Sequence, residues 1–275
     1  MIEKAYAKIN IGLNIIGKRA DGYHELDMIM VPVNIYDTLY LKKSREMSFV
    51  TESELKWDSS NLIYKAVMLM KETYSLNSNY SIRLVKRIPE QAGMAGGSAD
   101  CAAVMRLINK VEKLGLSNRE LADLGVRLGA DVPFCIYQQA ARVQGIGEKI
   151  RLLPEHEKYD VLIIKPEKGV STKLAFEMAD TGDCEHPAMD KVEELYLSHG
   201  ELEKAMGNSL QKPAIILLPE IGEILNDCKK AGFNRCLMTG SGSAVFVLLT
   251  KQQNVTEFRK SLLKKYKFVC KTQII

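Results

Sequence analysis

Between residues 81 and 88 apolar and polar positions alternate, Ile82, Leu84 and Ile88 against Ser81, Arg83 and Arg87, the period of a half-buried strand. Pro89 closes that strand, because proline cannot donate to a ladder. From Ser98 the period lengthens: Ala102, Ala103, Leu107, Ile108, Val111 and Leu114 recur at helical spacing, and Gly115 follows as a left-handed stop. The same two periods run through the rest of the chain. Ile9, Ile11, Leu13 and Ile15 make one face of a strand whose other face carries Lys8, Asn10 and Asn14, and an Asp21-Gly22 turn leads to a second strand through Met28, Met30 and Tyr40. The polar cluster Asp58-Ser59-Ser60-Asn61 caps a helix through Leu62, Ala66, Leu69 and Met70. A capping box, Ser117 to Glu120, opens another through Leu121, Leu124, Val126 and Leu128 as far as Gly129. Val132 to Cys135 is apolar and is expected to be a strand, and Ala141 to Glu148 reads as a strand and turn. Beyond residue 160, Val161 to Ile164 is a buried strand ended by Pro166, and the stretch after Phe176 as far as His199 is charged and weakly patterned. A helix then starts at Pro219 and stops at Gly232, a Gly240-Ser241-Gly242 turn feeds the strand Val245–Leu249, and Val255, Phe258 and Leu262 mark a last helix.

A chain of 275 residues, 46% hydrophobic, supports two modest domains of α+β character. Charge and proline gather at Leu153 to Lys158, which places the expected boundary between a domain of residues 1–156 and one of residues 157–275. The net charge of +4 is too small to argue for nucleic acid or a membrane surface, but it suits an enzyme that takes anionic substrates. The sequence holds no 18-residue apolar stretch. Its six cysteines form neither C-x-x-C pairs nor a zinc pattern, so the expected compartment is the reducing cytoplasm and no protein metal cage is expected.

Candidate chemistry gathers in the turn between the first strand and helix described above, Pro89-Glu90-Gln91-Ala92-Gly93-Met94-Ala95-Gly96-Gly97-Ser98-Ala99-Asp100. Gly93, Gly96 and Gly97 can adopt positive φ and lack side chains. Successive backbone N–H groups of residues 93–98 could therefore approach an anion that also feels the helix N-terminus. A glycine cluster before a helix is equally consistent with a mere tight connection. The turn is not a Walker A loop, since no Gly-Lys-Ser/Thr closes it, and the glycine spacing is wrong for a dinucleotide fingerprint. It does resemble the phosphate-binding motif P-x-x-x-G-[LM]-[AG]-G-G-S-[AS]-[DN] of the GHMP kinase superfamily. Met94 and Ala95 stand where many members have leucine and glycine, and Cys101 where alanine is common, changes that touch only the fine shape of the cradle.

A second resemblance is narrower. Lys8-Ile9-Asn10, followed by Gly17-Lys18-Arg19-Ala20-Asp21-Gly22-Tyr23-His24-Glu25-Leu26, is similar to the opening of the 4-diphosphocytidyl-2-C-methyl-D-erythritol kinase branch of that superfamily. Gly129-Ala130-Asp131-Val132-Pro133-Phe134, Gly145-Ile146-Gly147-Glu148, Gly169 to Phe176 and Leu237 to Ala244 continue it over nearly the whole chain. By themselves, polar residues on a strand face, an aspartate in a loop and a phenylalanine beyond a strand are compatible with solvated or core positions. The resemblance implies more. Lys8 and Asp131 would be catalytic; Pro89, Gly93, Met94, Ala95, Gly96, Gly97 and Ser98 would hold ATP with its Mg2+; Asn10, Tyr23, His24 and Phe176 would bind the cytidine end of the acceptor. The Gly240-Ser241-Gly242 turn would pack against the glycine cradle. The implied fold is the two-domain GHMP arrangement, an N-terminal ribosomal-protein-S5-like α/β domain and a C-terminal ferredoxin-like α+β domain. The implied partners are small molecules, in a monomer or homodimer without nucleic acid or membrane. Two alternatives stand beside it. A homoserine- or mevalonate-type kinase would keep the glycine motif without needing Tyr23, His24 and Phe176, and a non-catalytic nucleotide sensor would have lost Lys8 or Asp131.

Overall fold

A computed structural model describes residues 1–155 and 158–275; the expected boundary between residues 156 and 157 falls outside the described residues. The chain forms two compact units, one of residues 1–7, 35–88 and 95–138, the other of residues 8–34, 89–94 and 139–275. Two long strands, β1 (Ile2–Lys18) and β2 (His24–Ser44), pair with each other and contribute to both units.

In the first unit the later part of β2 pairs antiparallel with β4 (Asn79–Val85), Leu39 opposite Leu84, while the short β3 (Ser48–Thr51) runs parallel to β4 on its other side. Four helices complete it: α1 (Leu62–Thr73), α2 (Gly96–Glu112), α3 (Asn118–Gly125) and α4 (Val132–Tyr137). Alternation on the strands and the 3.6 period on α1 and α2 send Leu39, Leu41, Ile82, Leu84, Ile63, Met70, Val104 and Leu107 into one core. Tyr80 is fully buried there, and its hydroxyl donates to Glu112 Oε1 at 2.8 Å. The capping box on α3 forms as expected, Ser117 Oγ accepting from the Glu120 N–H while Glu120 reaches back to the Ser117 N–H.

Several local expectations are corrected: β4 ends at Val85, short of Pro89, and α3 ends at Gly125, short of Gly129. Residues 132–135 are helical, not a strand: Pro133 sits in the first turn of α4, where its missing N–H costs nothing, and Phe134, Cys135 and Ile136 are all buried. Helix α2 begins at Gly96 rather than Ser98 and closes on a left-handed Lys113, two residues before Gly115.

In the second unit the first part of β2 pairs antiparallel with β5 (Ala141–Gly145), which pairs in turn with β6 (Lys149–Leu152). A separate four-stranded antiparallel sheet is built from β7 (Asp160–Lys165), β8 (Cys236–Met238), β9 (Val245–Leu249) and β10 (Phe268–Gln273), in the order β10-β7-β9-β8. That order, with helices between the first and second and between the third and fourth strands, is the ferredoxin-like arrangement. The helices are α5 (Thr172–Ala179), α6 (Met189–Leu197), α7 (Gln211–Leu217), α8 (Glu220–Lys230) and α9 (Thr256–Leu262). One of them, α6, lies wholly in the weakly patterned stretch after Phe176. Ile163 stands opposite Phe246 on β7 and β9, both fully buried, and Ile221 and Ile224 of α8 join the same core.

Candidate active site

The glycine turn divides into two structural roles. Its first part, Pro89 to Met94, belongs to the second unit and is held by the turn before β9: the Ser243 N–H donates to Gln91 O and the Ala244 N–H to Ala92 O, each at 3.2 Å. Gly93 has φ +71°, and a Cβ there would lie 2.2 Å from Thr239 O. Only glycine lets the two backbones approach that closely. The Gly240-Ser241-Gly242 turn is anchored by the fully buried Asn208, whose Nδ2 donates to Met238 O at 2.8 Å and Gly240 O at 2.9 Å. Asn208 carries no sequence signal beyond its residue type.

The same unit buries the polar face of β1. Lys8 is 4% exposed and Asn10 0%, so these two positions are not solvated, while Asn14 is half-buried. Lys8 Nζ donates to Asn10 Oδ1 at 2.8 Å, the Asn10 N–H to Thr239 Oγ1 at 3.0 Å, and the Lys8 N–H to Met94 O at 3.1 Å. A Cβ on Gly240 would stand 3.1 Å from Lys8 Nζ. Lys8, Asn10, Gly93, Met94 and Thr239 thus form one buried polar cluster. A buried ammonium needs partners, and this cluster supplies them.

The second part of the turn belongs to the first unit and opens α2. Gly96 and Gly97 lie in the first helical turn; the residue in left-handed conformation is Ala95, φ 57° and ψ 33°, at the N-cap. Positive φ in the turn is therefore used at Gln91, Gly93 and Ala95, and at Gly96 and Gly97 the lack of a side chain matters instead. A Cβ on Gly96 would meet Ile88 Cγ2 at 3.0 Å and approach Lys86 Nζ to 3.5 Å. No side chain caps the helix, so the N–H groups of its first turn are available to an anion. Ser98 lies one residue further on, its Oγ 4.0 Å from the position of a Cβ on Gly129. That contact brings the loop carrying Asp131 alongside the start of α2. Asp131 is the N-cap residue of α4; its carbonyl accepts from the Cys135 N–H at 3.1 Å. Arg106 of α2 clamps the far end of this short helix, donating to Cys135 O at 2.7 Å and Ile136 O at 3.3 Å. Asp131 is half-buried on an element pinned at both ends.

Behind the start of α2 lies an ion cluster that spacing along the chain does not reveal. Lys86 Nζ sits 2.5 Å from Asp37 Oδ2 and 2.8 Å from Asp100 Oδ2, and both carboxylates are buried. Asp37 Oδ1 also accepts from the Arg87 and Ile88 N–H groups, the latter at 2.8 Å, fixing the chain just before Pro89. Burial pushes the Asp100 carboxyl well above the ordinary carboxylate range, with Lys86 opposing and Asp37 adding to the push. Burial pulls the Lys86 ammonium down, but the two carboxylates outweigh it and raise it overall. Lys86→Met leaves two buried carboxyls facing each other and is expected to cost about 3–5 kcal/mol, the usual penalty for removing one partner of a buried ion pair. Adding Asp100→Asn should restore part of that loss. Urea midpoints of the single and double variants test this, and an unchanged midpoint for Lys86→Met would show the cluster to be energetically idle.

Of the remaining predicted residues, His24 and Phe176 meet at the start of β2 and Tyr23 does not join them. Arg19 to Tyr23 form the turn, Gly22 with φ +86°, and Tyr23 is 60% exposed at its end. The His24 ring stacks on Phe176 of α5, centroids 4.6 Å apart at 23°. Its Nε2 lies 2.6 Å from Asp180 Oδ1. The structure thus pairs Phe176 with His24, while Tyr23 stands out into solvent.

The chain matches the family models for the GHMP kinases N terminal domain over residues 61–139 and the GHMP kinases C terminal domain over residues 175–267. It is 39% identical to a 4-diphosphocytidyl-2-C-methyl-D-erythritol kinase of Lachnospira eligens, over 95% of this chain and 93% of that protein. It is 38% identical to the kinase of the same name from Clostridium beijerinckii, over 99% of both chains. The crystal structure of a 4-(cytidine 5'-diphospho)-2C-methyl-D-erythritol kinase superposes with a TM-score of 0.84 at 28% identity, covering 100% of this chain and 99% of that one.

Proposed function

The chain belongs to the GHMP kinases and, within them, to the 4-diphosphocytidyl-2-C-methyl-D-erythritol kinase family, and from that premise we propose the reaction and the residue roles that follow. It is a small-molecule kinase with ATP as co-substrate. The acceptor is the 2-hydroxyl of 4-diphosphocytidyl-2-C-methyl-D-erythritol, on the non-mevalonate route to isoprenoids, in the cytoplasm. The γ-phosphoryl group passes to that hydroxyl oxygen, ADP leaves, and Asp131 accepts the hydroxyl proton.

Phosphoryl transfer needs positioning and charge neutralisation more than covalent chemistry, and the roles divide accordingly. The N–H groups of Gly96, Gly97 and Ser98, at the open start of α2, hold phosphate oxygens, and Pro89, Gly93, Met94 and Ala95 shape the turn that presents them. Lys8, kept in place by Asn10, neutralises charge developing on the transferring group. Among the described residues no three His, Cys, Asp or Glu side chains cluster as a metal cage, which fits a Mg2+ ion carried chiefly by the phosphate oxygens and water. When bound, that ion would offset the negative charge of the phosphate oxygens. Tyr23 and Phe176 offer aromatic faces to the cytosine ring, and His24 and Asn10 offer polar groups to the cytidine end.

The observation that carries this reading is the stack of His24, at the start of β2, on Phe176 of α5. A kinase for homoserine or mevalonate has no aromatic ring in its acceptor to bind, and a nucleotide sensor would not need an acceptor site. Release of ADP measured across a panel of acceptor alcohols tests it: turnover is expected with the cytidyl diphosphate and not with bare methylerythritol, homoserine or mevalonate. Comparable turnover of any of those three would replace this reading with a generic GHMP kinase. Phe176→Ala should raise KM for the cytidyl acceptor about 5- to 150-fold, the worth of stacking one base on one aromatic ring, with KM for ATP little changed. An unchanged acceptor KM would place the base elsewhere.

A further inference from the structure

The imidazole of His24 is held from two directions by the end of one helix. Phe176 lies in α5 and covers its face; Asp180, four residues on and immediately past the last turn, takes its edge at 2.6 Å. Residues four apart lie on the same side of a helix, and the Asp180 N–H still donates to Phe176 O at 3.0 Å, so ring and carboxylate are presented together. The second oxygen of Asp180 is occupied by Lys18 Nζ at 2.5 Å. Both hydrogen bonds, from His24 first and Lys18 second, hold the Asp180 carboxyl below its ordinary range.

An ionised carboxylate only accepts, so the His24 nitrogen facing Asp180 carries the proton. A neutral imidazole has one donor and one acceptor, and with the proton on Nε2 the acceptor is Nδ1. We propose that Asp180 is a positioning residue that holds His24 in the Nε2–H form, so that Nδ1 is offered as an acceptor to an acceptor base bearing an exocyclic amino group and against one bearing a carbonyl there. This rests on the cytidyl-acceptor reading of the preceding section and adds to it a reason for choosing cytosine over uracil. Stacking alone gives no such choice, since every base has a π-face. The arrangement also follows the rule that the partner of one imidazole nitrogen decides what the other can do.

Two measurements on the full chain test it. Nitrogen-15 spectra of histidine-labelled protein should show the His24 proton on Nε2, and Asp180→Asn and Asp180→Ala should disturb that state. Steady-state kinetics with cytidyl and uridyl diphosphate acceptors should show the preference for cytidyl in kcat/KM falling about 2- to 12-fold in both variants, the range for one neutral hydrogen bond, through acceptor KM and with ATP KM unmoved. A structural role alone would change stability without moving the ratio between the two bases. A proton on Nδ1 in the parent protein, or variants that keep the parent's base preference, overturns the proposal while leaving the kinase reading intact. A parent protein that does not phosphorylate the cytidyl acceptor at all overturns the reading itself, and the base selection with it.

Discussion

Asp131→Asn lowers kcat by about 10² to 10⁴, the usual worth of a positioned acid or base, and leaves ATP binding close to that of the parent. The substitution preserves size and the N-cap backbone, whose carbonyl bond from the Cys135 N–H does not involve the side chain. The fold of α4 should survive, since its buried face and the Arg106 clamp on its last carbonyls are untouched. What is lost is a carboxylate able to accept the proton of the attacking hydroxyl. In a loose transition state for phosphoryl transfer an aspartate in the proposed role would orient the hydroxyl or take its proton, and the amide would do the first poorly and the second not at all. An interaction made only in the transition state lowers kcat and kcat/KM together. Turnover at near-parent levels would remove Asp131 from the mechanism, and a raised KM with unchanged kcat would make it a binding residue.

Gly93→Ala disrupts the turn itself, with an expected loss of about 4–5 kcal/mol in folding stability, in the range reserved for severe substitutions. Two costs add. The φ of +71° is disfavoured for any residue with a Cβ, by about 1–2 kcal/mol. The Cβ would also stand 2.2 Å from Thr239 O and 3.1 Å from the backbone of Gly242, and backbone atoms cannot rotate aside as a side-chain end can. Relief requires separating the Pro89–Met94 segment from the turn before β9. Protein that still folds should lose kcat/KM by about 10² or more, since a misplacement of 1 Å in a positioning element costs that much. Gly22→Ala is the internal control: its φ of +86° is as strained, but nothing lies within 4 Å of the added Cβ, so only the conformational cost should appear. Urea denaturation of the two variants separates the terms, and equal losses would show that the close approach at Gly93 is unimportant.

The correction at residues 132–135 shows where a linear pattern fails. Val132, Pro133, Phe134, Cys135 and Ile136 are all buried, so neither a period of two nor one of 3.6 can show itself. A short run of this kind is equally consistent with a buried strand and a buried helix, and only Pro133, well placed for a first helical turn, pointed the right way. The polar face of β1 is the converse case. Lys8 and Asn10 alternate with apolar residues just as solvated positions would, yet both are buried, and the Asn10 N–H finds its partner in Thr239, over two hundred residues away in sequence.

What the sequence by itself determined are the features that depend on backbone sterics and on partners within about four residues. The Ser117–Glu120 capping box, the glycine turn ahead of α2 and the short apolar runs of β7 and β9 are of this kind, because capping and glycine act through local dihedrals and nearby N–H groups and a run of apolar residues is read directly off the chain. Tertiary structure alone decided which groups meet across long separations: Asp37 with Lys86 and Asp100, Asn208 with the Gly240 turn, and His24 with Phe176 and Asp180. Ion pairing, burial and ring stacking depend on distance in space, and the spacing of residues along a chain carries no record of which loops close upon which. The residue types on each side were visible from the start; their partners became so only when the core placed them together.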